Sequence, residues 1–162
     1  MVSVWKPSIK YRLAVVQAQA STQAARDALE AVAFGSVAVT SRAIAAMGLE
    51  LTFAQWRVLV VVGEKPSGAT VTEIAARLGA EVSPVSRLVS RLVRRGVVTV
   101  VKDEQDRRVT RVTVSEAGRE IRQAVIERRR ELLAEVLAAA GPIEPDVAAA
   151  LHRIGAAFRR YT

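Results

Sequence analysis

The 162-residue chain contains no cysteine. This excludes disulfides, redox sensing through thiols and metal sites with cysteine ligands. It has one histidine, His152, too little for a histidine-based zinc site. No metal or other cofactor is expected. No uninterrupted apolar run reaches about 18 residues, so no membrane span is expected. Nor does any segment read as a basic interfacial helix with aromatic anchors. The opening residues, Met1-Val2-Ser3-Val4-Trp5-Lys6-Pro7, lack the apolar stretch of a signal peptide. A cytoplasmic protein is the expectation. There is no nucleophile motif, no glycine-rich phosphate loop and no cluster of metal ligands, so the chain does not read as an enzyme. Internal repeats and low-complexity tracts are absent too.

Positive charge, by contrast, is plentiful. Lys and Arg number 24 against 16 acidic residues, a formal net charge of +8. The segment from Ser83 to Arg111 alone holds eight basic residues and three acidic ones. Such an excess favours a polyanionic partner. The length suits a single domain over residues 1–162 with a sizeable core.

The element boundaries are legible. Thr52-Phe53-Ala54-Gln55 is a capping box, with Leu51 and Trp56 spaced as a hydrophobic staple. It predicts a helix over Phe53 to Val62 despite the β-branched run Val60-Val61-Val62. Thr70-Val71-Thr72-Glu73 is a second capping box, opening a helix that runs to Leu78 and stops at Gly79. Two short helices joined by a glycine-containing loop make a helix-turn-helix. A third helix begins near Val82, because Pro84 is tolerated only in a first turn, and ends at Gly96. Its Val85, Leu88, Val89 and Leu92 recur at helical spacing and face inward. Ser83, Ser86, Arg87, Ser90, Arg91 and Arg94 fall on the other side. Two β-branched runs, Val97 to Lys102 and Val109 to Val114, flank a charged loop and predict a hairpin. A basic helix followed by a basic hairpin is the layout of a winged helix-turn-helix. The predicted class is therefore mainly α with a small hairpin wing.

Flanking this lobe of residues 51–115 are apolar helical segments over 8–47 and 116–160. Ile9 to Ala20 and Thr22 to Met47 read as two helices, or as one interrupted near Ser21. Ser115 caps a long helix to about Ala140, and Pro145 starts a last one to about Arg160. Their stripes, among them Leu29, Val32, Val37, Ile121, Val125, Leu132 and Val136, are too apolar to stay solvated. Packing against a second copy of the chain is the economical solution, so they are read as dimerisation helices.

The candidate site follows from this layout. Arg87 and Arg91 suit base edges or phosphates in a major groove, or else form a solvated helix face. Ser83, Ser86 and Ser90 are short donors suited to phosphates, with Arg94 beside them. Arg107 and Arg108 form the wing tip, and Arg108 suits a narrow minor groove. Asp106 is expected to orient Arg107 or Arg108, since a bare carboxylate would repel DNA. Arg128-Arg129-Arg130 reads as a solvated face. Trp56 belongs to the core or floors a ligand pocket. Arg57 beside it pairs with an anionic ligand or with a surface carboxylate.

Residues Leu51 to Gly118 resemble the MarR family, the multiple antibiotic resistance regulators of bacteria. The residues that carry the resemblance are Thr52-Phe53-Ala54-Gln55-Trp56-Arg57-Val58-Leu59 and Val85-Ser86-Arg87-Leu88-Val89-Ser90-Arg91-Leu92. To these add Asp106-Arg107-Arg108, Val112-Thr113-Val114-Ser115 and Gly118. The resemblance implies a homodimer with interleaved terminal helices that binds a pseudo-palindromic double-stranded DNA operator. It also implies a repressor released by a small-molecule effector. Glu81 departs from the pattern, standing where a serine-like helix cap is expected. Two other readings remain: an architectural DNA-binding protein of low specificity, and a small-molecule-binding protein without DNA recognition.

Overall fold

The computed structural model describes residues 9–48 and 50–158. Among the described residues, six helices and one hairpin follow in the order α1 (Ile9–Ala46), α2 (Phe53–Val62), α3 (Val71–Leu78), α4 (Val82–Arg94), β1 (Val98–Lys102), β2 (Thr110–Val114), α5 (Glu116–Ala140) and α6 (Pro145–Phe158). The chain divides into two compact units, one ending at Ala38 and one beginning at Val39.

Helix α1 runs unbroken through Ser21, where an interruption was one of the two expected readings. A serine inside a helix costs only a few tenths of a kcal/mol, and Ala18, Ala20, Ala24 and Ala25 surround it with the strongest helix former. Its stretch Gln19–Ala46 is long and apolar enough, by composition, to cross a membrane. That departs from the expectation drawn from uninterrupted apolar runs. Alanine raises the mean hydropathy of the stretch while Arg26, Asp27, Glu30 and Arg42 interrupt it. Core helices of soluble proteins meet the same criterion. The last helix is described as far as Phe158, and the expected extension to Arg160 lies outside the described residues, as do Trp5 and the rest of the first eight.

Both capping boxes form. Thr52 Oγ1 accepts from the Gln55 amide at 3.2 Å, and Gln55 Oε1 accepts from the Thr52 amide at 2.9 Å. Thr70 and Glu73 repeat the exchange at 3.1 and 2.7 Å. Val60, Val61 and Val62 stay helical because α2 buries Trp56, Val58, Leu59 and Val62, and packing overrides β-branched propensity. Gly79 ends α3 in the left-handed conformation, at φ 62°. Glu81 caps α4 without any side-chain hydrogen bond. Pro84 is the third helical residue, where its missing N–H leaves no intrahelical bond unmade.

The fully buried side chains Val58, Leu59, Val62, Ile74, Val85, Leu92, Val98, Val112 and Val125 form one core. It draws on α2, α3, α4, both strands and α5. The hairpin is antiparallel, registered from Val98↔Val114 to Lys102↔Thr110. A bridge from Ala69 to Val112 attaches the loop before α3 to the sheet. Only the first residue of β1 is buried, and the other four are exposed. Helix α6 buries nothing, and Val136 and Leu137 near the end of α5 are each 52% exposed.

Candidate nucleic-acid interface

Helix α4 turns Val85, Val89 and Leu92 into the core. By the 3.6-residue period this leaves Ser83, Ser86, Arg87, Ser90, Arg91 and Arg94 outward, and all six are exposed. Arg87 Nη1 donates to Ser83 Oγ at 3.2 Å, one turn back. Ser90 Oγ donates to the Ser86 carbonyl at 2.9 Å, so its proton is held within the helix. Glu81 and Val82 are exposed at the start of the same face.

The hairpin places its charged loop at the far end from the buried Val98. There Asp106 engages Arg108, one of the two partners foreseen. Asp106 Oδ1 accepts from the Arg108 amide at 2.9 Å and from its Nε at 3.2 Å. Arg108 is otherwise bare, its side chain 93% exposed. Arg107 is exposed beside it. The Asp106 carboxylate is thereby paired with a guanidinium.

Behind the tip lies a second polar cluster. Asp103 Oδ1 accepts from the amides of Gln105 and Asp106 at 2.8 and 3.1 Å. Its Oδ2 accepts from Arg111 Nε. Arg111 Nη1 reaches Glu73 Oε2 at 3.4 Å. The Arg111 guanidinium, helped by the two amides, lowers the Asp103 carboxyl to about 2. The Thr70 amide, and then Arg111 among weaker causes, holds Glu73 below its ordinary value.

A cavity of about 450 Å³ lies between α2, α3 and α5, within the range that holds small molecules. Trp56, Phe53 and Ile126 contribute its apolar wall, Arg57, Arg122 and Arg129 line it with positive charge, and Glu64 lines it paired with Arg77 at 2.7 Å. Trp56 is 6% exposed, so it serves both the core and the cavity. Arg57 Nη2 donates to the Leu78 carbonyl at 3.3 Å. Arg129 Nε donates to Thr40 Oγ1 at 3.0 Å. Arg122 Nε is buried with no hydrogen-bond partner among the described residues, a position costly to leave unmade.

Residues 49–109 match the sequence model of the MarR family. The HTH-type transcriptional repressor IacR of Pseudomonas putida is 30% identical over 84 residues, 52% of this chain and 50% of that protein. The match thus spans half the length of that relative. Among solved structures, CouR from Rhodococcus jostii RHA1 bound to p-coumaroyl-CoA is 26% identical with a TM-score of 0.62, covering 78% of this chain and 85% of its own. A MarR family protein from Bacillus stearothermophilus has a TM-score of 0.73 over 88% of this chain and 96% of its own. At 23% identity it speaks to the fold alone.

Residues 49–109, 61 of the 162, thus resemble the MarR family.

In this MarR-type lobe the outward residues of α4 and the Asp106–Arg108 pair stand where the periodicity and the loop placed them. Arg111, Asp103 and Glu73 were not foreseen as a cluster. The signal was faint: an acid just beyond β1 and a base within β2, at positions that a hairpin brings together. Arg122, Ile126 and Arg129 were also missed as a cavity wall. They share one face of α5 at i, i+4 and i+7, but a mixed Arg/Ile stripe reads equally well as a solvated edge.

Proposed function

We propose that the chain is a transcriptional regulator of MarR type that reads double-stranded DNA as a homodimer and acts as a repressor in the cytoplasm. The observation that carries this reading is the bare Arg108 guanidinium aimed by Asp106, on a wing that follows a helix with an outward Ser/Arg face. Arg87 and Arg91 are assigned to base edges in the major groove. Ser83, Ser86, Ser90 and Arg94 are assigned to phosphates, and Arg107 and Arg108 to the flanking groove. The dimer is assigned to the terminal helices. Support comes from α6, which buries none of its residues while exposing Val147, Leu151 and Phe158 by 44–47%. A monomer rarely leaves so much contiguous apolar surface bare.

A small amphipathic anion is the proposed effector, seated against Trp56 with its charge toward Arg57 and Arg122. The acyl-CoA complex of CouR supports an anionic ligand with an aromatic part. The test begins with selection of duplexes from a random-sequence library. Enrichment of a pseudo-palindrome is expected, and recovery of an unenriched pool would favour the low-specificity architectural reading. Light scattering should report twice the 17.5 kDa of one chain, and a monomer at micromolar concentration would refute the dimer.

A further inference from the structure

We propose that Arg111 is the positioning residue of the wing: it ties the wing loop, through Asp103, to the N-terminal cap of α3, through Glu73, and so sets the direction in which Arg108 meets DNA. The inference rests on the DNA-reading function proposed above.

The hairpin needs such a tie. A two-stranded hairpin is marginal without packing on one face. Here β1 buries Val98 and leaves Val100 and Val101 49% and 42% exposed. Apolar contact fixes the root of the wing, at Val98 and Val112, and leaves the outer half to polar bonds. Those bonds form an unbroken series. Glu73 Oε2 accepts from the Thr70 amide at 2.7 Å, which makes the carboxylate part of the α3 cap. Arg111 spans from that oxygen to Asp103 Oδ2. Asp103 Oδ1 then holds the Gln105 and Asp106 amides, shaping the loop as an Asx turn. Asp106 closes the series on Arg108.

Exposure is lowest in the middle of this path and rises to the wing tip, with Glu73 at 44% and Asp106 at 45%. The side chains of Asp103 and Arg111 are 15% and 27% exposed, while that of Arg108 is 93% exposed. The inner members are held in place and the outer one is offered to a partner. Two nitrogens of Arg111 are committed to Asp103 and Glu73, so it acts through Arg108 rather than as a contact of its own. A lysine could not replace it, because an ammonium is a single point on a flexible stem, whereas the guanidinium spans two acceptors in a fixed fork. As a contributor to stability alone, a partly exposed ion-pair cluster would be worth little. That makes orientation the consequence to look for.

The test is a double-mutant cycle on a duplex that the wild-type protein has itself selected from a random library. Arg111→Gln is expected to weaken binding roughly tenfold, with far-UV circular dichroism unchanged and only a small drop in melting temperature. In an Arg108→Ala background the same substitution should cost no more than about twofold, because the residue it positions is gone. Arg111→Lys should lose as much as Arg111→Gln. Glu73→Gln keeps the capping box, as Thr52 and Gln55 do, and should give a smaller loss that also vanishes with Arg108→Ala. Should Arg111→Gln fail to fold, Glu73→Gln decides by itself. Equal losses with and without Arg108, full affinity in Arg111→Lys, or no loss in Glu73→Gln would each overturn the proposal. Failure of the wild-type protein to select any duplex would instead overturn the DNA-reading function on which it rests.

Discussion

Gly118 and Val97 approach so closely that a Cβ on Gly118 would stand 2.0 Å from the Val97 carbonyl oxygen. The contact seats the first turn of α5 on the start of the wing. Ser115, the α5 cap, donates its amide to the same Val97 oxygen at 3.2 Å and accepts from the Gly118 amide at 3.0 Å. Gly118→Ala must therefore shift backbone against backbone. A loss of about 1–3 kcal/mol is expected, read as a melting drop of several degrees in a chain of this size. Gly68→Ala should be at least as costly. That residue has φ +74°, and its added Cβ would meet the Val112 carbonyl oxygen at 2.2 Å. Unchanged melting in both variants would contradict the packing described.

Arg108→Ala is expected to leave melting unchanged, since the side chain is almost wholly in solvent. It should weaken binding to a selected duplex by about 1–3 kcal/mol. Arg87→Ala and Arg91→Ala should weaken binding to the selected duplex more than to random DNA if they read bases. A uniform loss on both, with the salt slope reduced by about one charge, would move them to the phosphate backbone.

The Asp103 carboxyl supplies a pH signature. Its folded-state value of about 2 lies below the ordinary value of about 3.9. A depressed acid contributes stability that is fully present above about pH 4 and is lost as the pH falls through about 2. In Asp103→Asn, melting should therefore become less sensitive to pH between about 4 and 2. Carboxyl carbon shifts of Asp103 followed by NMR should show a midpoint near 2. A midpoint near 3.9 would mean that the Arg111 contact does not persist in solution.

Ligand binding in the α2–α5 cavity should perturb Trp56 fluorescence, and Trp5→Phe removes the one other tryptophan. A small aromatic acid is the first probe. Arg122→Met should abolish its binding while sparing affinity for DNA in the absence of ligand. Because linkage is reciprocal, a selected duplex must weaken the acid by the same factor by which the acid weakens the duplex. A ligand that binds equally well with and without DNA is not an effector.

Much of this architecture is legible in the sequence because its local rules agree. Thr52/Gln55 and Thr70/Glu73 mark two helix starts by reciprocal hydrogen bonds that need no tertiary context. Val85, Val89 and Leu92 fix which face of α4 is left for a partner. The continuity of α1 at Ser21 was open because the short polar run Ser21-Thr22-Gln23 between alanines tips neither way. The Arg111 cluster and the Arg122 cavity wall were hidden for another reason. Each joins residues far apart in the chain, Glu73 with Arg111 and Trp56 with Arg122. Their charges read as ordinary surface until the fold brings them together.

The central claim is that this surface reads DNA sequence. The most direct test is equilibrium binding, near physiological salt, of the full-length protein to the intergenic DNA beside its own gene and to random duplex of equal length. The account predicts affinity for the first about a thousandfold tighter or more, with the ratio shrinking in Arg87→Ala and Arg91→Ala. Equal affinity for both duplexes would contradict it.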